Sequence, residues 1–257
     1  MIRLITSDHE FINLPQPTSH HEYKIKSLYE AYGISSGICR FYLIGSPTLA
    51  AIAADMDSCL IIAGVAEPDL DELASFIGMT APIKVDMPAK LGESLKSRLS
   101  DKYKAEYSIS LHYHPPKQLA FTQVNDSPKL DDAYKIISSS FEGIEYNSWY
   151  VDISHRVRHG ISKVYTYMNA TTCTMQYNLD GKVFLSQIAT LPAERGKGYA
   201  SKLVSHVAGI YSLEGKDVWL NCKEDKLSFY ENIGFVNEGK VCALTRLGGK
   251  NELFQDR

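Results

Sequence analysis

Long apolar runs are missing from this chain of 257 residues. None approaches the roughly 18 residues that a membrane-crossing helix needs; residues 60–66 form one of the longest. The opening 13 residues carry Asp8, His9 and Glu10, where a secretory signal would need an unbroken apolar stretch. A cytoplasmic protein is expected. Cysteine is sparse as well: Cys39, Cys59, Cys173, Cys222 and Cys242 are odd in number, scattered, and contain no C-x-x-C pair. That excludes a disulfide framework and a thiolate zinc site. Cys59, Cys173 and Cys242 lie in apolar or strand-like runs and read as small buried hydrophobes. Neither charge sign is in excess, with 27 basic against 30 acidic residues and a net charge of −3, so a strongly basic nucleic-acid-binding surface is excluded. Low-complexity tracts and short solenoid repeats are also absent. What remains, 44% hydrophobic and 22% charged, is the mixture of an ordinary globular protein of one or two domains.

In the first half, apolar runs 49–54 and 59–65 flank Asp55-Met56-Asp57-Ser58, a hairpin around a turn. Glu67-Pro68-Asp69 caps a helix with Leu70, Leu73, Ala74 and Ile77 at helical spacing and Gly78 near its end. Residues 83–85 read as a strand, 89–99 as a helix and 105–113 as a strand with period-two alternation. His114-Pro115-Pro116-Lys117 and Asn125-Asp126-Ser127-Pro128 break any regular element, which sets the domain boundary between them. An N-terminal α/β domain over 1–115, a second domain over 125–247 and a loose tail over 248–257 are expected.

The second half begins with helices at 128–141 and 147–159. The latter carries Trp149, Ile153 and Val157 on one face, with Asp152 and Arg156 on another. Strands follow at 163–168, 171–177 and 183–190, with Asp180-Gly181 as a tight hairpin turn. A loop at 192–198 leads to a helix over 199–213 with Leu203, Val204, Val207, Ile210 and Tyr211 facing the core. A strand at 218–222, a short helix at 226–233 closed by Gly234, and a final hairpin over 235–247 around Asn237-Glu238-Gly239 complete the reading.

The most informative segment runs from Gln187 through Ile188, Ala189 and Thr190 to Arg195-Gly196-Lys197-Gly198-Tyr199-Ala200-Ser201. A strand enters a glycine-bearing loop that opens onto an amphipathic helix. Unpaired N–H groups gather at such a helix start, where the dipole favours an anion such as pyrophosphate. Gly196 and Gly198 let the backbone approach phosphate oxygens, and Arg195 and Lys197 add positive charge. A Walker A loop requires Ser or Thr after Gly-Lys, where this chain has Gly198. A dinucleotide-binding G-x-G-x-x-G requires a third glycine, which Gly198-Tyr199-Ala200-Ser201 does not supply, and an all-parallel sheet, which the hairpin turn at Asp180-Gly181 argues against.

Arg195-Gly196-Lys197-Gly198-Tyr199-Ala200 resembles the Q/R-x-x-G-x-G/A signature of the GNAT N-acetyltransferase superfamily, and Leu227-Ser228-Phe229-Tyr230-Glu231-Asn232-Ile233-Gly234-Phe235 resembles its second hallmark. The order of elements from 128 to 247 is similar too. The resemblance implies an α/β fold (a mixed α+β sheet), GNAT-like in the C-terminal half, preceded by a small α/β domain that reads as a degenerate copy. It implies an N-acyltransferase moving an acetyl group from acetyl-CoA to an amine by direct attack, without a metal, nucleic acid or membrane partner. On this resemblance, backbone groups of Ile188, Ala189 and Thr190 bond the pantetheine amides. The N–H groups from Arg195 through Ser201 hold the pyrophosphate, a backbone N–H within 187–189 stabilises the oxyanion, and Asn221 and Cys222 lie across the gap. Tyr230, a phenol of pKa about 10, protonates the departing thiolate or packs its ring under the cofactor.

The general base is not evident. Phe184 stands where many relatives carry a glutamate, with Ser186 and Gln187 as polar neighbours. Asp152, His155 and Glu145 are candidates, although Asp152 and Arg156 also read as a solvent-exposed helix pair. His155 with His159, and His112 with His114, are spaced to share a metal, but no third ligand accompanies either at characteristic spacing. Tyr146, Trp149, Tyr150, Tyr165 and Tyr167 read as an acceptor pocket or as packing. A non-catalytic acyl-CoA-binding module and a cofactor-free interaction scaffold are the alternatives; calorimetry with acetyl-CoA and thiol release with amines separate the three.

Overall fold

The protein is described here from a computed structural model covering residues 1–45, 49–64, 66–117 and 121–248. The end of the expected strand 59–65 and all but the first residue of the expected tail 248–257 lie outside the described residues. The chain forms two compact units, one comprising Met1–Ser108 and the segment from Lys240 on, the other Ile109–Gly239. The borders differ from those expected because two strands, Tyr103–Tyr113 and Phe235–Arg246, each begin in one unit and end in the other. The proline-rich and Asn-Asp-Ser-Pro breaks that suggested a boundary lie inside the second unit.

Unit 1 contains β1 (Ile2–Leu4), α1 (Asp8–Ile12), α2 (His20–Tyr32), β2 (Arg40–Ile44), β3 (Ala51–Met56), β4 (Cys59–Gly64), α3 (Leu70–Thr80), β5 (Lys84–Pro88), α4 (Ala89–Leu99) and the first part of β6 (Tyr103–Tyr113). β1 to β4 pair antiparallel in sequence order. β4 then pairs parallel with β5, and β5 pairs antiparallel with residues 241–245 of β11 (Phe235–Arg246). The β3–β4 turn has Asp57 and Ser58 at φ 50° and 60°, the geometry that matches the twist of a tight hairpin. β3 reads as a continuous apolar run because both faces are buried. Ala51 and Ala53 pack with Leu73, Ile77 and Leu95 from α3 and α4, while Ile52 and Ala54 pack with Phe11, Ile25 and Leu28 from α1 and α2.

Unit 2 contains the end of β6, α5 (Leu130–Ser138), α6 (Tyr146–Arg158), β7 (Lys163–Tyr167), β8 (Thr171–Leu179), β9 (Lys182–Thr190), a 3-10 turn (Pro192–Glu194), α7 (Tyr199–Leu213), β10 (Asp217–Cys222), α8 (Leu227–Glu231) and the start of β11. β7, β8 and β9 form the antiparallel meander, with Asp180 at φ 48° in the second hairpin turn. β10 pairs parallel with β9 and antiparallel with β6. One face carries α7 through Leu203, Val204, Val207 and Tyr211. The other carries α5 and α6 through Ala133, Ile137, Trp149 and Ile153. Each of the buried leucine, valine and isoleucine side chains contributes about 1.5–3 kcal/mol. Two helices, a three-stranded meander, a helix, a parallel strand, a helix and a last strand occur in the same order in both units.

Two expectations are corrected. The predicted closing hairpin over 235–247 is one strand, β11, whose pairing with β5 prolongs it past Gly239. Arg156 does not join Asp152 on a solvent face; it is buried, with Nε donating to Ser162 Oγ and Nη2 to the Gln176 carbonyl at 2.7 Å. That carbonyl lies where β8 carries an extra residue between Met175 and Tyr177, so the guanidinium satisfies a backbone group that the ladder leaves out.

Candidate functional site

The parallel register joins Lys182–Leu185 of β9 to Asp217–Leu220 of β10 and stops there, although β9 continues to Thr190 and β10 to Cys222. Just past that point β9 bulges. Ser186 pairs with Thr174 and Ala189 with Thr172, so Gln187 and Ile188 together face Cys173. Gln187 sits at φ 48°, a conformation rare for a residue with a side chain. Its Oε1 accepts from Trp149 Nε1 at 3.3 Å and from Thr174 Oγ1 at 3.0 Å, which ties the strained residue to α6 and β8. The bulge interrupts the β8–β9 ladder at Gln187 and Ile188 before it resumes at Ala189, and it lies just past the point where the β9–β10 register ends.

Beyond β9 the chain passes through the 3-10 turn into α7. Gly196 and Gly198 have φ 80° and 75°, and a Cβ built on either meets nothing within 4 Å. Glycine is therefore demanded by the left-handed backbone and not by crowding within the chain. Gly198 caps α7 without any side-chain hydrogen bond, and the first turn holds no acidic residue. The N–H groups at this helix start have no intrahelical acceptor; the first bond into the helix is Lys202 N–H to the Gly198 carbonyl.

The matching helix of unit 1 is built the opposite way. Asp69 accepts from the N–H groups of Asp71 and Glu72, both at 3.0 Å, and both acids lie in the first turn of α3. Carboxylates there satisfy the dipole from within and repel an incoming anion. In the same unit Lys24 of α2 forms an ion pair with Asp86 of β5, both largely buried, where the β4–β5 register ends at Ile61 and Asp86.

The remaining expected residues fall as follows. Arg195 is exposed, and its Nε donates to the Thr190 carbonyl and its Nη2 to Ser140 Oγ, both at 3.2 Å, so the guanidinium braces the loop. Lys197 pairs with Glu194 at 2.8 Å, a bond that raises the ammonium pKa. The Ala189 carbonyl accepts from Thr171 Oγ1 at 2.7 Å. Tyr199 and Ala200 are half-buried at the start of α7, with the Tyr199 ring 5.6 Å from that of Tyr167. Asn221 is half-buried on β10 opposite Ser110, and Cys222 is buried.

Tyr230, in α8, is buried against Phe229 and Phe235. Burial pushes its phenol well above the usual range, helped by the thiols of Cys173 and Cys222, so the proton stays on the oxygen at neutral pH. Gly234 has φ 100°, and a Cβ on it would lie 2.8 Å from the His114 carbonyl and 3.2 Å from Tyr113 Cε2. The turn after Tyr230 therefore needs glycine for both conformation and space.

Phe184 is buried and stacked on Tyr177. Of the proposed bases, Glu145 caps α6 by accepting from the Ser148 N–H at 2.9 Å, while Asp152 and His155 are half-buried on α6. Tyr146 donates to Asp131, which pushes its phenol up to about 12. Tyr165 is in the core, its hydroxyl 2.8 Å from that of Tyr211. The bulge at Gln187 and its ties to Trp149 and Thr174 were not foreseen. The polar Ser186-Gln187 pair before the apolar Ile188-Ala189 was their faint local signal, and the partners are distant in sequence.

Residues 157–237 match the family model described as Acetyltransferase (GNAT) domain. No curated protein sequence gives a match. Among solved structures, the chain is similar to a putative acetyltransferase from Pyrococcus horikoshii, with TM-score 0.63 and 14% identity over 97% of this chain and 89% of that one. It is also similar to a GCN5-related N-acetyltransferase from Kribbella flavida, with TM-score 0.61 and 11% identity over 91% and 98%. A GCN5-related N-acetyltransferase from Sphaerobacter thermophilus aligns with TM-score 0.60 and 13% identity over 94% and 89%. The solved structures share the fold across the chain, and the family model covers β9, β10, the glycine loop and α8, so residues 157–237 match a GNAT acetyltransferase domain within a GNAT-like fold.

Proposed function

We propose that unit 2 transfers an acetyl group from acetyl-CoA to a primary amine by direct attack, and that unit 1 repeats the fold without the donor site. The observation that carries this reading is the contrast between two helix starts: α7 is glycine-capped and leaves its N–H groups free of side-chain caps, whereas α3 is capped by Asp69. A diphosphate fits the first and is repelled by the second. Acetyl-CoA supplies a thioester whose carbonyl carbon accepts the amine lone pair. Backbone N–H groups of the bulge at Gln187–Ala189 stabilise charge developing on the thioester oxygen. Tyr230 gives its proton to the sulfur as the C–S bond breaks, and the amine's proton leaves to a base or water. The products are the amide and the free thiol of CoA. All five cysteines are free, which suits a reducing cytoplasm.

One observation favours a second reading, a domain that binds acyl-CoA without turnover: the strand position that many relatives give to a glutamate holds buried Phe184. Thiol release from acetyl-CoA in the presence of a panel of small amines, amino acids, polyamines and peptides tests both. Release with at least one acceptor supports the transferase. Saturable acetyl-CoA binding with no release across the panel supports the binding module.

A further inference from the structure

A group of metal-ligating side chains lies apart from the glycine loop. His112 on β6 and His114 just after it project from one side of the strand, two residues apart. The missing third donor comes from far along the chain: Glu238 of β11 brings its Oε1 to 3.9 Å from His114 Nε2. One ligand atom from each of the three lies within 4.8 Å of the others. Tetrahedral zinc bonds of about 2.0–2.1 Å place donor atoms roughly 3.3 Å apart. Closing the set therefore requires movements of about an ångström in side chains that are partly exposed.

The surroundings hold the ligands in place. The His112 ring stacks on Trp219 of β10, with centroids 4.4 Å apart and planes 12° from parallel. Its Nε2 is 3.6 Å from Asp217 Oδ1, a carboxylate paired with Lys182. That carboxylate is close enough to the ring for a small side-chain shift to form the carboxylate–imidazole hydrogen bond that orients ligating histidines. The His114 N–H donates to the Gly234 carbonyl at 2.8 Å, which fixes the backbone of the second imidazole to the turn that leads into β11.

We propose that His112, His114 and Glu238 form a binding site for one borderline divalent transition-metal ion of the zinc class. Two imidazoles and one carboxylate are the ligand set that such ions take with an open water position. The bound ion would clamp the end of β6 to β11 across Gly234, the turn that follows Tyr230 in the chain. The proposal is independent of acetyl transfer and is tested without it.

Trp219 provides the readout, since the chain has two tryptophans and the other, Trp149, is on α6. The untagged protein, freed of metal by a chelator, is titrated with Ni²⁺ while tryptophan emission is followed. Emission should fall to a plateau at one ion per chain and recover when Zn²⁺ is added in competition. The fall should disappear in Trp219→Phe, and the apparent Kd should weaken at least tenfold in both His114→Ala and Glu238→Gln, which alter partly exposed side chains. Absence of a saturable fall in the wild type, or unchanged affinity in His114→Ala and Glu238→Gln, would overturn the site.

Discussion

Replacing Gly198 with alanine separates what the glycine loop does for folding from what it does for binding. An alanine held at φ 75° costs about 1–2 kcal/mol, and the stiffer unfolded chain returns roughly 0.4–1 kcal/mol. The added Cβ meets no atom of the chain, so no steric penalty is added. The net loss is about 1 kcal/mol, a fall in Tm of about 2–4 °C for a chain of this size. Binding responds more strongly. An alanine that relaxes towards negative φ turns the N–H groups at the start of α7 away from a diphosphate, and each hydrogen bond to a charged group is worth about 1.5–3 kcal/mol. Losing one of them weakens the CoA Kd by roughly 10- to 150-fold, at about 1.4 kcal/mol per tenfold. Calorimetric titration with CoA beside a thermal melt reads both quantities. A variant whose CoA affinity stays within a factor of about two of wild type would refute the assignment of the loop.

Further outcomes follow from the same geometry. Tyr230→Phe should lower kcat by about 10²-fold with little change in KM for acetyl-CoA. Because burial holds the Tyr230 proton above its usual range, kcat should show no alkaline limb from this group up to about pH 10. An alkaline limb in the wild type that vanishes in Tyr230→Phe would contradict the protonated-phenol role. Gly234→Ala, which drives a Cβ towards the His114 carbonyl, should cost at least about 2 kcal/mol of stability in a denaturant melt. Lys24→Ala leaves the buried Asp86 carboxylate without its lysine and should cost about 3–5 kcal/mol. Burial raises the Asp86 pKa, but Lys24 and His21 outweigh it and hold the carboxyl well below the usual range. The pair's contribution is therefore present above the unfolded carboxyl pKa of about 4 and is lost as pH falls through the native value. The stability gap between wild type and Lys24→Ala should narrow on acidification; a gap independent of pH would refute the ion pair's role.

Local signals were legible where local chemistry decides the structure. The helices at 89–99 and 199–213 form with the expected bounds, because apolar spacing sets them and a proline or glycine marks their starts. Asp180-Gly181 forms the expected turn, and the turn expected over Asp55-Met56-Asp57-Ser58 forms at its last two residues while Asp55 and Met56 stay in β3. Ser19 and Glu22 form a reciprocal capping box for α2, a signal present in the sequence as Ser-x-x-Glu. Non-local chemistry was illegible. Asn237-Glu238-Gly239 resembles a turn until β5 supplies a partner for the residues after it. Arg156 resembles a surface charge until the bulge at Gln176 offers it a carbonyl. Glu238 joins the histidines of β6 only because the strands at the two ends of unit 2 come together.

The most direct measurement is the stoichiometry of acetyl-CoA binding to the intact chain by calorimetry. The account predicts one molecule per chain, held by the glycine-capped start of α7 while carboxylate-capped α3 takes none. Two molecules per chain, or no binding at all, would contradict it.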